Sequence, residues 1–333
     1  MNLNQLMFSK NQQRTLLEQW LTCDEYGMST LQFCEQLIRF GDGQSKLIGK
    51  AGLVSLESGS MVSALNGWFP PLIISSIDVA EQAGDRQLGL KAALAQLEGG
   101  QNIVLRLAGI VAIPFSSLIG AGTLGVYVSG EILKSVSING VSGIGNTVNH
   151  TVAVYGPITV IAGIIAMTVI AVSFNFWCGQ SRTWTNNLPL YQQYRLSQAQ
   201  TLLTSLGNLS RCGMKLDDAL SAVSRSGASL YLQSHIAIMR NHLDGGGEKN
   251  LGKIMNTGLL QPFERANLEV LGETGDSATL LLKSGRNHEK TLQKQMGLIS
   301  AVLPKLTVVL AVFLLLGLLG TAMSQLLDMM NRM

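Results

Sequence analysis

Four carboxylates fall into two similar turns. Glu81 and Asp85 stand in E-x-x-G-D, and Glu273 and Asp276 stand in E-x-G-D. Carboxylates at this spacing beside a glycine could meet a cation or a basic partner. The same residues also spell a helix end closed by Gly84 or Gly275, with Asp85 or Asp276 capping the helix that follows. Spacing alone leaves both readings open.

No other set of residues spells a reaction. The segment GQSKLIGK at 43–50 approaches a phosphate-binding loop. It has one residue too many between its glycines, and Ala51 stands where Ser or Thr should hold magnesium. GVSGIG at 140–145 has its glycines in the wrong order for a dinucleotide turn and no strand before it. The triplet Gly245–Gly247 marks a helix break. His235 and His242, seven apart, would share a helix face, but no third ligand accompanies them, so an exposed or capping role is expected rather than zinc. Neither Cys-x-x-Cys nor Gly-x-Ser-x-Gly occurs. No cofactor and no metal are expected.

The elements that carry these turns are set by composition. The chain has 333 residues, of which 47% are hydrophobic and only 14% charged. A soluble domain carries nearer ~25% charged residues. Disorder is excluded by the apolar content. Four Cys are too few for a disulfide scaffold. A net charge of +3, few aromatics and no recognition motif argue against nucleic acid.

The apolar surplus lies in three stretches, Ile103 to Val128, Thr151 to Trp177 and Val302 to Leu327. Each exceeds the ~20 residues a helix needs to cross ~30 Å of hydrocarbon. Their only charges, Arg106 and Lys305, lie within four residues of a stretch end, where long side chains can snorkel to the interface. Trp177 and Trp184 suit an interface just past the second span. Residues 1–40 show no signal-peptide pattern, so the N-terminus is expected in the cytosol and, after three crossings, the C-terminus in the periplasm. Basic residues agree: 20 Lys and Arg fall in 1–102 and 178–301, against Lys134 in the loop 129–150 and Arg332 in the tail. Arg182 and Lys294 sit near membrane ends on that inner side. Cys23, Cys34, Cys178 and Cys212 all fall on the reducing side.

The two water-facing stretches repeat each other. Thr15, Leu16, Leu17, Gly27 and Met28 match Thr201, Leu202, Leu203, Gly213 and Met214 at an offset of 186. Pro71, Val79, Gly84 and Asp85 match Pro262, Val270, Gly275 and Asp276 at an offset of 191. Pro114 in the first span pairs with Pro304 at the start of the third, and the middle span carries Pro157. That middle span returns the chain to the side from which it left. In each copy an apolar stripe (Leu16, Leu17, Trp20, Leu21; Leu202, Leu203, Leu206, Leu209) ends at a glycine and a second helix follows, with Ser29 as its N-cap in the first copy. Further short helices are expected near 44–56, 60–67, 71–82 and 86–101, and near 229–243, 248–256, 262–273 and 277–300. The fold class is an all-α membrane protein: two repeated cytosolic six-helix bundles, 1–102 and 178–301, and three transmembrane helices, 103–128, 151–177 and 302–327, with a periplasmic loop 129–150 and a tail 328–333. Small-residue pairs such as Ser116 and Gly120, Ala121 and Gly125, and Gly320 and Ser324 permit close packing of the spans.

Taken together, LLTSLGNLSRCGMKLDDALSAV (202–223), QPFERANLEVLGETGDSATLLLKSG (261–285), Pro304 and the order domain, two spans, domain, span resemble the F-type inner-membrane platform proteins of type IV pilus and type II secretion machines. The first copy carries degenerate versions, with EQAGD at 81–85. The resemblance implies an assembly platform with no activity of its own. It implies a hexameric cytosolic ATPase, pilin subunits and other inner-membrane alignment proteins as partners, and a homo-oligomer. The short arm before the first helix and the long outer loop favour a type IVb or thin conjugative pilus over a secretion system. A small transporter or channel is the rival from another class, but the spans hold no ionisable residue near their middle. A receptor would need a folded outer domain that loop 129–150 is too short to supply.

Overall fold

The computed structural model describes residues 5, 7–99, 103–137, 144–226, 228–245, 250–272 and 276–331. Among these the chain is helical and contains no strand. It divides into two compact units, Met1–Gln101 with Phe176–Leu292, and Asn102–Asn175 with Gln293–Met333.

The first unit begins with α1 (Lys10–Glu25), α2 (Thr30–Phe40) and α3 (Gly43–Glu57). Ser9 opens α1 and Ser29 opens α2, each in a capping box with a glutamine three residues on. Asp42 caps α3 by accepting from the Ser45 N–H at 2.7 Å. A 3-10 turn (Met61–Leu65) leads to α4 (Pro71–Gln82), which Pro71 opens at its first position, and α5 (Arg86–Gly99). Leu16, Leu17 and Trp20 of α1 are buried with Phe33 and Leu37 of α2, Ile48, Met61, Leu65, Ile77 and Leu90. Trp20 stacks on Phe33 with centroids 5.6 Å apart.

The rest of that unit comes from α8 (Gln180–Thr185), α9 (Pro189–Arg211), α10 (Leu216–Arg225), α11 (Leu230–Asp244), α12 (Leu251–Ile254), α13 (Pro262–Leu271) and the start of α14 (Ser277–Met330). Leu202, Leu203, Leu206 and Leu209 are fully buried along α9. α9 and α10 also pack on α4 and α5, so residues from both sequence copies share one unit. At that contact Cys212, Ala80 and Ala92 form a small buried cluster flanked by Val79 and Leu88.

The second unit comprises α6 (Ile103–Ser137), α7 (Ile144–Phe176) and the remainder of α14. All three helices are long and apolar enough to cross a membrane. Gly125 of α6 lies against Leu315 and Leu318 of α14, and Gly163 of α7 lies against the Phe115 ring. Asn149 donates to the Ser129 hydroxyl at 2.9 Å, and the Asn146 N–H donates to Gln325 at 3.2 Å. Buried polar groups inside the bundle are thereby paired with each other, as an apolar surrounding requires.

Two expectations are corrected. The segment 129–150 was expected to be a loop, but α6 runs to Ser137 and α7 begins at Ile144. Residues 129–137 contain no proline, and Glu131 pairs with Lys134 one turn on at 2.6 Å, so nothing there stops a helix already formed. Residues 138–143, with most of GVSGIG, lie outside the described residues. Likewise 277–300 and 302–327 are not two helices but one, Ser277–Met330, with Pro304 inside it.

Candidate functional site

The turns that carry the candidate residues are built by glycine. Gly27, Gly84 and Gly213 have φ of 75°, 84° and 92°, a region that a side chain disfavours. Around each, two N–H groups satisfy the last carbonyls of the preceding helix: Gly27 to Asp24 and Met28 to Cys23; Gly84 to Glu81 and Asp85 to Ala80; Gly213 to Ser210 and Met214 to Leu209. The Gly27 and Gly213 turns thus share one bonding pattern at an offset of 186.

The acidic residues divide by role. Asp85 accepts from the Leu88 N–H at 3.0 Å and caps α5. Asp276 accepts from the Ala278 and Thr279 N–H groups at 3.2 and 3.3 Å and from the Thr279 hydroxyl at 2.6 Å, capping α14. These bonds, the hydroxyl first, hold its carboxyl below the usual range. Glu81 accepts from Ser60 and meets Arg86 at 3.4 Å. Arg86 binds Asp24 through its Nε at 2.8 Å and reaches the Thr30 hydroxyl at 2.6 Å, tying the ends of α1 and α4 to the starts of α2 and α5. Arg86 was not singled out from the sequence; its place directly after the G-D pair was the available signal. Glu273 and Gly275 lie outside the described residues, as do Gly246 and Gly247. Among the described residues no group of three or more His, Cys, Asp or Glu could hold a metal ion.

The expected interface residues part company. Arg106 and Lys305 are exposed on α6 and α14. Trp184 is 86% exposed on α8. Trp177 donates to the Ser181 hydroxyl at 2.9 Å and meets the Tyr191 ring edge-on. Pro114, Pro157 and Pro304 all sit within helices, with Pro114 buried and Pro157 exposed. Arg182, expected near a membrane end, is instead 1% exposed. Its guanidinium lies 4.6 Å from the centroids of both Tyr191 and Tyr231 and 5.7 Å from Tyr194. It also donates to the Trp177 carbonyl and to Asn186, both at 3.4 Å. A planar, weakly hydrated cation can stack among ring faces in this way more readily than a compact, strongly hydrated ammonium. Burial lowers the Arg182 pKa and pushes the Tyr231 hydroxyl up to about 12. The cation joins α8 to α9 and α11.

Beside it, His235 meets the Tyr231 ring at 4.7 Å, and burial pushes its pKa down to about 4. His235 is therefore part of the packing, not in the exposed or capping role expected. His242 meets the Ile254 carbonyl at 3.0 Å, closing α11 onto α12.

A second buried polar set was not anticipated. Glu264 of α13 accepts from the Ser284 hydroxyl and the Asn287 amide, each at 3.1 Å. His288 is fully buried. The Gln261 N–H donates to its Nε2 at 3.2 Å, so its Nδ1 carries the proton, donated to the Ser284 carbonyl at 2.9 Å. At the offset of 191 the first copy has Ile73, Ala93 and Leu97 in place of Glu264, Ser284 and His288. The repeat therefore keeps the helix pair and exchanges its filling.

Helical turns closed by glycine and three helices long and apolar enough to cross a membrane are the features of a helical membrane protein. Residues 202–323 match the family model for the type II secretion system (T2SS), protein F. The chain thus carries the domain that marks the inner-membrane platform proteins of type II secretion and type IV pilus machines. No curated protein matches the chain.

Proposed function

We propose that this chain is the inner-membrane assembly platform of a type IV pilus, of the type IVb or thin-pilus branch. The protein F domain at 202–323 carries this reading. In it, a hexameric cytosolic ATPase moves the first unit, and pilin subunits leave the bilayer against the apolar helices, aided by inner-membrane alignment proteins. The N-terminus lies in the cytosol and the C-terminus in the periplasm. The first unit is large and helical, and the turn carboxylates that are described are engaged in capping or in Arg86, which leaves docking as the work of its surface. The most apolar stretch of α7 is only 6% buried, which supports contact with lipid or with an apolar pilin helix. Arg106, Lys305, Trp177 and Trp184 serve as interface anchors in this arrangement.

The direct test is capture of the assembly ATPase by the detergent-solubilised full chain. The full chain is needed because both sequence copies contribute to one unit. No capture by a folded chain counts against the reading. Loss of pili with unchanged solute uptake in a deletion strain supports a pilus platform. Loss of protein secretion with pili intact assigns it to type II secretion, and altered uptake alone supports the transporter reading.

A further inference from the structure

The helix that ends each sequence copy presents a different outer face. In the first copy it is α5, whose Ala92 is 6% exposed and packs with Cys212 at the end of α9. That face seats a helix of this chain, and its small residues let the helix approach. In the second copy the matching helix is the start of α14. At the offset of 191, Lys283, Arg286 and Lys290 stand where α5 has Ala92, Ala95 and Gly99. All three are exposed. Spacings of three and four residues put them on one face of the helix, over about 10 Å of its length. Among the described residues none of the three is paired with a carboxylate. Glu289, the acidic residue of this stretch, is half-buried. Like charges one turn apart repel, so the bare face costs the helix stability that a bound anionic partner would return.

We propose that this basic face is a docking surface for an acidic helix of a partner protein, whose carboxylates stand three or four residues apart and meet Lys283, Arg286 and Lys290. Shape and charge both point there. The matching face of the first copy already takes a helix. Arg286 can hold a carboxylate through two parallel N–H donors, and the flanking lysines add point charges. Opposite signs across such a surface speed encounter and fix register. A bilayer surface suits the row less well. α14 carries no charge between Lys294 and Lys305, so its apolar part starts beyond Lys294. Lys283 lies eleven residues before Lys294, ~17 Å along the helix axis, and salt screens charges over ~8 Å. A row of cations along the axis is matched by a second helix lying beside it.

The test uses the full chain in an uncharged detergent and a fluorescent alanine-rich peptide of about 20 residues, long enough to be helical. Its three glutamates copy the spacing of the basic face. The control peptide has the same composition with the glutamates spread round the helix. Anisotropy should show the first peptide binding about tenfold more tightly than the control, with the difference shrinking as salt rises. Lys283→Glu, Arg286→Glu and Lys290→Glu made together should abolish the difference. Lys46→Glu with Lys50→Glu, exposed lysines on α3, should leave it in place. All five sites are exposed, and an unchanged unfolding midpoint shows that each variant is folded. Equal binding of the two peptides, or an unchanged preference in the folded triple variant, overturns the proposal. A triple variant that instead loses only its preference for phosphatidylglycerol over phosphatidylcholine in mixed micelles gives the face to lipid, and one that changes only self-association gives it to a second copy; either outcome overturns the proposal. The ATPase is absent from the assay, so this proposal and the platform reading fail separately.

Discussion

At the residue scale the molecule separates what a glycine does from what a buried charge does. Gly213 has a positive φ and open space where a Cβ would stand, so Gly213→Ala should cost only the backbone term, about 1–2 kcal/mol, read from the unfolding midpoint. Gly252 is the opposite case. A Cβ there would run into the backbone N and Cα of Glu269, so Gly252→Ala must separate α12 from α13 and should lose more stability than Gly213→Ala. Arg182→Lys should cost on the order of 2 kcal/mol, because an ammonium cannot lie flat between Tyr191 and Tyr231. The turn glycines were legible because local sequence dictates them. Arg182 was not: its partners come from α9 and α11, and nothing beside it in the chain distinguishes a buried cation from an interfacial one. His235 gives the pH prediction. Its folded pKa of about 4 lies below the ordinary value of 6.5, so the unfolded chain binds more protons between the two. Its contribution is complete above about pH 6.5 and is lost as pH falls toward 4, a range worth on the order of 3 kcal/mol at most. Thermal unfolding at pH 7.5 and pH 5 should show the loss, and His235→Gln should reduce it, leaving the part due to His288, whose pKa burial also lowers.

At the scale of elements, helices with caps were readable and helices without stops were not. Ser29 and Gly27 bound their helices where the spacing predicts. The expected break near 301 does not exist. Pro304 suggested a start, yet a long helix tolerates proline when neighbouring groups take up the freed carbonyl. The same scale explains why the Glu264 set escaped notice: its positions match apolar residues in the first copy, so the repeat pattern reads them as core. That correspondence makes a prediction. Glu264→Ile alone should destabilise by about 1–3 kcal/mol, since it leaves the Ser284 and Asn287 donors buried without their acceptor. Adding Ser284→Ala and His288→Leu, the residues of the first copy, should recover most of the loss, because an apolar filling of similar shape is often as stable as a buried polar one. Unfolding in denaturant would show it; a triple variant no better than the single one would mean that the two helix pairs are not interchangeable.

For the molecule as a whole, the duplication was visible in the sequence but the docking of its copies was not, because identical offsets do not say which faces meet. The residues at the contact give the clue afterwards: Ala80, Ala92, Cys212 and Ser221 are small where the matching Leu271, Lys283, Tyr26 and Glu35 are large or charged. Cys212 offers a direct readout of that docking. It is buried, and burial raises its thiol pKa to about 11, so in the folded chain it should resist maleimide at neutral pH. Ala92→Arg places a charged side chain in the buried cluster and should weaken the contact by about 1–3 kcal/mol. Labelling of Cys212, located by peptide mapping so that Cys23, Cys34 and Cys178 are told apart, should then rise, while Lys283→Arg at the matching open position leaves it unchanged. If Cys212 stays protected in a folded Ala92→Arg chain, the small-residue cluster is not what holds the copies together, and their contact rests on α9 and α10 elsewhere.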